Sequence, residues 1–243
     1  MACAFSACRT ANEDGRMPQP FDPIADSYDR WYDTPEGQAV FNAEMACLRL
    51  LCVQCHGRWL EVGVGTGRFA AMLGVAEGID PSSGMIEIAA GRGIKTYTGC
   101  GECLPFSARS FDGVLAALAL CFAADAAQTL KECHRVLRSR GKLLLGIVPG
   151  DSIWGRAYMR KASEGHPVYA LAKFRTAAQI VGLAENAGLA LLDAASTLFW
   201  KPGGTPQTDP QIETGIVSEA GFIGLLFEKA APEPSSSNDL EGH

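Results

Sequence analysis

The chain has 243 residues, 47% of them hydrophobic, and a formal net charge of −6. That length suffices for one α/β domain with a full core. The acidic balance argues against a nucleic-acid surface, and no apolar run approaches the roughly 18 residues that a membrane span needs. The nine cysteines lack the regular spacing of a disulfide framework, and the opening MACAFSACRTANEDGRM lacks the apolar core of a secretory leader. Both point to a reducing cytoplasm.

In chain order, residues 1–20 read as a disordered lead. Tyr28, Trp31 and Tyr32 then place three aromatics within five residues. They either anchor an N-terminal arm or close over a bound cation, which an aromatic face attracts. A helix is expected from about Pro35 to Cys52, with Phe41, Met45, Leu48 and Cys52 on one face. The CVQCH run (Cys52 to His56) matches the haem-attachment pattern C-x-x-C-H. That chemistry needs export, and no second metal-ligand pair follows, so neither haem nor metal is expected.

Apolar runs near Trp59, Val75, Ile94, Val114, Leu143, Leu191 and Phe222 read as strands. Helical stretches lie between most of them. Ser82 or Ser83 can cap one that runs to Ala90. Another covers Ala124 to Leu137 with Leu130, Cys133, Val136 and Leu137 inward. Thr176 and Gln179 make a capping box for a third, which stops at Gly188. Alternating strands and helices imply a parallel sheet with right-handed crossovers. Lys131, Arg135, Arg138, Arg140 and Lys142 read as a solvated helix end, Trp200 to Gly215 as a long loop, and the polar tail 231–243 as disordered.

The most informative segment is WLEVGVGTGRFA, Trp59 to Ala70. A strand enters a turn with glycine at Gly63, Gly65 and Gly67, then a helix. Glycine allows positive φ and close backbone approach of a ligand. Glu61 stands two residues before the first glycine, and Asp80 ends the next apolar run. That spacing fits a nucleoside-bearing ligand across two neighbouring parallel strands, with ribose hydroxyls on Asp80. The nicotinamide dinucleotide fingerprint is G-x-G-x-x-G. Here the third glycine comes one residue early and Arg68 takes its place.

These residues resemble the first motif, E-x-G-x-G-x-G, of the class I S-adenosylmethionine-dependent methyltransferases. GCGECLPFSARSFDGVL (Gly99 to Leu115), ECHRVLRSRGKLLLG (Glu132 to Gly146) and FDPIADSYDRWYD (Phe21 to Asp33) are similar to segments of the small-molecule methyltransferases related to ubiquinone/menaquinone C-methyltransferases, the type 11 family. SIWGRAYMRKASEGHPVYALAKF (Ser152 to Phe174) resembles a subgroup of bacterial and archaeal members. The resemblance implies a Rossmann-like three-layer α/β sandwich, with a seven-stranded, mostly parallel sheet whose last strand is antiparallel. It implies one domain over 21–230, comprising an arm and helix over 21–55 and an acceptor-pocket lid over 150–175. The implied cofactor is S-adenosylmethionine and the implied partner is a small-molecule acceptor.

By the same resemblance, Glu61 orients the methionine end of the cofactor, while Gly63, Gly65 and Gly67 give it clearance. Asp80 holds the ribose. From the residues themselves, Met85, one helix turn on, is placed to pack the adenine, and Tyr28 to close its aromatic face over the sulfonium. Cys100 occupies the place of an acid that bonds the adenine amino group in many relatives, so the Gly101 backbone and the Glu102 carboxylate are its substitutes. Trp154, Tyr158, Tyr169 and Phe174 fall where the fold builds its acceptor pocket. The catalytic base is left open among Tyr28, His166 and Asp151. Cys100, Cys103 and Cys121 read as small apolar fillers. The alternatives are a cofactor-binding protein without turnover and a nicotinamide oxidoreductase.

Overall fold

A computed structural model of the protein describes residues 19–52, 56–207 and 209–230. Readings on residues 1–18, on 231–243 and on the 53–55 portion of CVQCH lie outside the described residues. A short 3-10 turn, Asp22–Ile24, leads into α1 (Ala25–Trp31) and α2 (Pro35–Leu51). There follow β1 (Trp59–Val62), α3 (Arg68–Leu73), β2 (Glu77–Asp80), α4 (Ser83–Gly91), β3 (Lys95–Thr98), β4 (Phe111–Ala117), α5 (Ala126–Val136), β5 (Leu137–Ile147) and α6 (Ile153–Ser163). The chain continues through α7 (Ala177–Asn186), β6 (Leu189–Thr197), β7 (Glu213–Thr214) and β8 (Phe222–Lys229).

The helices start where short polar side chains satisfy otherwise unpaired backbone donors. Thr34 accepts from Gly37 N, Ser82 from Met85 N, Asp125 from Gln128 N and Ser152 from Gly155 N. Thr176 and Gln179 form the full reciprocal capping box.

The strands form one sheet in the order β3-β2-β1-β4-β5-β8-β6-β7. β3, β2, β1, β4 and β5 run parallel. β8 is inserted antiparallel between β5 and β6. The count is eight rather than seven because β7, a two-residue strand within the segment read as a loop, pairs with Ala195 and Ser196 of β6.

Period-two alternation divides the core between the two faces. Leu60 and Val62 of β1, Val114 and Ala116 of β4, and Leu143 and Leu145 of β5 pack with Leu130 and Val136 of α5 and Ile180 and Ala184 of α7. Trp59, Leu115, Ala117 and Leu144 pack with Leu48 of α2, Phe69 of α3, Ala89 of α4 and Trp154 of α6. The result is the three-layer sandwich.

The basic segment differs from its sequence reading. Arg135 pairs with Glu132 and donates to the Leu104 and Phe106 carbonyls. Arg138 pairs with Asp112, and Lys142 with Glu228. A strand begins at Leu137, directly after α5, and draws these cations against neighbouring strands.

Candidate active site

The chain winds outward from β1 through β2 to β3, then returns to β4 on the other side of β1. That reversal opens a crevice at the carboxyl ends of β1 and β4. The glycine turn lies there. Gly63, Gly65 and Gly67 all take positive φ, at 71°, 52° and 80°. A Cβ on Gly63 would stand 2.4 Å from the Ala119 Cβ, and one on Gly67 2.4 Å from Ile94 Cδ1. Beyond Gly65 nothing lies within 4 Å. The outer two glycines therefore serve packing, and the middle one presents bare backbone to open space.

Glu61 is 1% exposed, and its Oε2 has no hydrogen-bond partner. Burial drives its pKa well above the usual carboxylate range. A hydrogen bond from the Ala70 N–H opposes the shift, and the nearby Asp80 charge adds to it. Asp80 Oδ2 accepts from Gly65 N at 3.0 Å and Oδ1 from Ser82 N at 2.9 Å, so this acid ties the turn to the start of α4. Burial raises its pKa, against those two hydrogen bonds. Met85 is buried in the first turn of α4. Gly101 sits close against Val62 and Thr129, where a Cβ would meet Thr129 Cγ2 at 2.7 Å. Glu102 differs from its expected exposure to a ligand: its Oε1 accepts from Asp125 N at 3.2 Å, because α5 begins directly opposite.

The N-terminal arm is fastened across this end of the sheet. Asp22 Oδ1 accepts from Ser82 Oγ at 2.6 Å and from Gly84 N at 3.2 Å. Asp29 pairs with Arg68 at 2.8 Å and Arg92 at 2.7 Å. Burial alone would raise the Asp29 pKa, but hydrogen bonds from Arg68 and Arg92 outweigh it and hold the value near about 2. Arg92 also donates to the Thr66 carbonyl at 2.7 Å, inside the glycine turn. Arg68, placed by the sequence where a dinucleotide site has glycine, is an anchor for the arm.

Over the carboxyl ends of β4 and β5 lies a cavity of about 500 Å3. α1 contributes Tyr28 and Trp31, with Tyr32 directly after it; α2 contributes Glu44, and α6 Tyr158. Tyr169 and Phe174 complete much of the aromatic wall. Tyr28 and Tyr32 hydroxyls lie 3.2 Å apart. Leu118, at the end of β4, lines the cavity in the left-handed region at φ 56°. A non-glycine residue held there stores backbone strain at the site.

Of the residues expected to hold cofactor, Tyr28 alone lines this cavity; the rest gather at β1, β2, α4 and the loop before α5. Of the candidate bases, Tyr28 and His166 line it, whereas Asp151 does not and lies exposed at the turn before α6. Trp154 also departs from the acceptor wall: it is 1% exposed and donates to the Trp200 carbonyl at 2.6 Å, within the core. Among the three cysteines, Cys121 lines the cavity and Cys100 and Cys103 do not. Sequence reading missed Glu44, since an acid within an amphipathic helix reads as a solvated position; its place beside Ala43 and Met45 on the buried side was the available signal.

A family model described as a methyltransferase domain matches residues 60–145. An uncharacterised protein of Mycobacterium bovis is 37% identical over 89% of this chain and 76% of its own length. Another, from Methanocaldococcus jannaschii, is 34% identical over 86% of this chain and 98% of its own. Among solved structures, a SAM-dependent methyltransferase of Thermotoga maritima, described as a possible histamine N-methyltransferase, superposes with a TM-score of 0.79 at 31% identity. The alignment covers 86% of this chain and 98% of that one. With the sheet order, the glycine turn and these likenesses together, the chain belongs to the S-adenosylmethionine-dependent methyltransferases, and S-adenosylmethionine is its cofactor.

Proposed function

We propose that this enzyme methylates a small molecule held in the cavity over β4 and β5. The observation that carries the reading is the cavity itself: about 500 Å3, walled by aromatic side chains and roofed by α1 and the 152–175 segment. That is the size and lining of a small-ligand site. The Thermotoga protein, whose description names a small amine, supports the same acceptor class.

The residues at the crevice fit the cofactor. The orphaned Glu61 Oε2 suits a cationic amino group at the methionine end. Bare backbone at Gly65 suits close approach, and Asp80 retains acceptor capacity for ribose hydroxyls beyond its two backbone bonds. Met85 packs the adenine, and the Gly101 backbone, with Glu102 behind it, takes the place of the acid missing at Cys100. Tyr28, on the cavity wall, closes over the sulfonium. When bound, S-adenosylmethionine supplies a methyl group already activated by its sulfonium.

The chain's own contribution is placement and exclusion of water. Alignment of reactants can supply roughly 7–11 kcal/mol. The domain extends over 21–230, with the arm and helix over 21–55 and the lid over 150–175. Among the described residues no helix is long and apolar enough to cross a membrane. The buried thiols Cys47 and Cys133 support work in a reducing cytoplasm.

The test is incubation of a metabolite extract and a macromolecular fraction with methyl-labelled S-adenosylmethionine. Label is expected among small molecules that pass an ultrafilter. Label retained on protein or RNA overturns the small-molecule assignment.

A further inference from the structure

Glu44 is not part of the glycine turn. It sits on α2 among Val40, Ala43, Cys47 and Leu48, all buried and apolar. It is 3% exposed, lines the cavity, and its Oε2 has no hydrogen-bond partner. A buried carboxylate without a partner is costly, and native proteins keep few. An apolar residue at this position would serve helix packing better.

Four tyrosines, Tyr28, Tyr32, Tyr158 and Tyr169, line the same cavity. Burial raises the pKa of each phenol, and the Glu44 charge adds to the rise. Tyr158 and Tyr169 stack at 4.3 Å with 14° between their planes. Tyr28 meets Tyr32 edge-on at 5.6 Å. An acid among electron-rich rings attracts a cation twice, by charge and by ring quadrupole. The rings already show this: the Lys161 ammonium lies 5.9 Å from the centroids of both Tyr158 and Tyr169. Lys161 is exposed, and no cation among the described residues pairs with Glu44.

We propose that the acceptor is a cationic amine, its ammonium against the Glu44 carboxylate and its apolar body among Tyr28, Tyr32, Tyr158 and Tyr169. This rests on the reading of the cavity as the acceptor site. An ammonium nitrogen has no lone pair, so it must lose a proton before it can act as a nucleophile. Glu44 Oε2 takes that proton: an O–H bond forms, the N–H bond breaks, and its electron pair stays on nitrogen as the lone pair. Without a cation beside it, burial keeps Glu44 protonated at neutral pH; the entering ammonium favours the carboxylate, so that first proton leaves to solvent on binding and Oε2 is free to accept the one from nitrogen.

Calorimetry on the full chain tests the proposal, first with S-adenosylhomocysteine, then with protein saturated in it. The probes are 2-phenylethylamine, its isostere 2-phenylethanol, 3-phenylpropanoate and benzyltrimethylammonium. Both cations should bind at least about tenfold tighter than the alcohol, a difference of roughly 1.4 kcal/mol. Glu44→Gln should lose about tenfold or more for the cations and keep wild-type affinity for S-adenosylhomocysteine, which also reports folding. Equal binding of amine and alcohol, preference for the propanoate, absence of cation binding, or cation binding undiminished in Glu44→Gln each overturns the proposal. The wild-type comparison decides even if Glu44→Gln does not fold. Failure of S-adenosylhomocysteine itself to bind would sink the cofactor assignment as well, whereas its binding without a cation preference removes only the amine.

Discussion

The Phe21 ring meets the Phe122 ring edge-on, 5.0 Å between centroids and 87° between planes. Phe21 precedes α1 and Phe122 follows β4, so this contact bridges the arm to the loop at the end of the central strand. With Asp22 on the start of α4 and Asp29 on Arg68 and Arg92, the arm is held at both ends of the crevice. Tyr28 lies between these fastenings. Tyr28→Ala should therefore weaken cofactor or acceptor binding while apo-protein melting changes little, since the polar anchors remain. A melting drop of several degrees with unchanged affinity per folded molecule makes the arm a strut and removes Tyr28 from the site.

Gly65 separates ligand clearance from fold. A methyl group there meets no protein atom, so Gly65→Ala bears only the cost of a left-handed alanine, roughly 1–2 kcal/mol. The expected result is a modest fall in melting temperature and a loss of S-adenosylmethionine affinity well beyond about tenfold by calorimetry. Gly63→Ala, which drives a Cβ into Ala119, should damage folding instead.

Asp80→Ala should cost roughly 1.5–3 kcal/mol of S-adenosylmethionine affinity. The same substitution frees the Gly65 and Ser82 N–H groups, so the melting temperature falls too. Wild-type affinity in the folded variant would take Asp80 out of the cofactor site.

The Glu44 carboxyl gives a pH signature. Its pKa is 4.5 unperturbed and, through burial, about 8 in the folded protein. Between those values the folded state keeps a proton that the unfolded chain has released. Stability from this group is therefore greatest below about pH 4.5, declines as pH rises, and levels off above about 8. Glu44→Gln has no such proton. In denaturant melts the variant should gain on wild type between pH 5 and 8, by up to roughly 1.4 kcal/mol per unit. A difference independent of pH refutes the shift. Asp29 acts in the opposite sense and in a lower window: its stabilisation, present above 3.8, is lost as pH falls towards about 2.

The sheet and the glycine turn were legible because local signals agreed. Apolar runs placed seven of the strands to within a few residues, and Ser82 and the Thr176/Gln179 box started their helices where expected. The spacing of Glu61, three glycines and Asp80 is a short-range pattern, so one window of sequence contains most of it. β7 was not legible: two residues, Glu213 and Thr214, carry no period, and they are a strand only because β6 offers an edge. The cavity was half legible. Tyr158, Tyr169 and Phe174 could be placed from the region they occupy, but Glu44 lies 114 residues before Tyr158, and only tertiary packing brings α2 beneath α6. The Asp125 N–H that Glu102 meets and the exposed place of Asp151 were hidden for a similar reason, since they depend on neighbours distant in sequence.

The position of β8 bears on how the chain is made. It leaves the ribosome after both of its neighbours, yet it lies between them, flanked by β5 and β6. Until Phe222–Lys229 emerges, the nascent chain presents β5 and β6 with open edges, each able to pair with another copy. Synthesis stalled after β6 would leave an aggregation-prone intermediate rather than a smaller folded domain. Insertion of β8 is thus the step that closes these two edges to other chains.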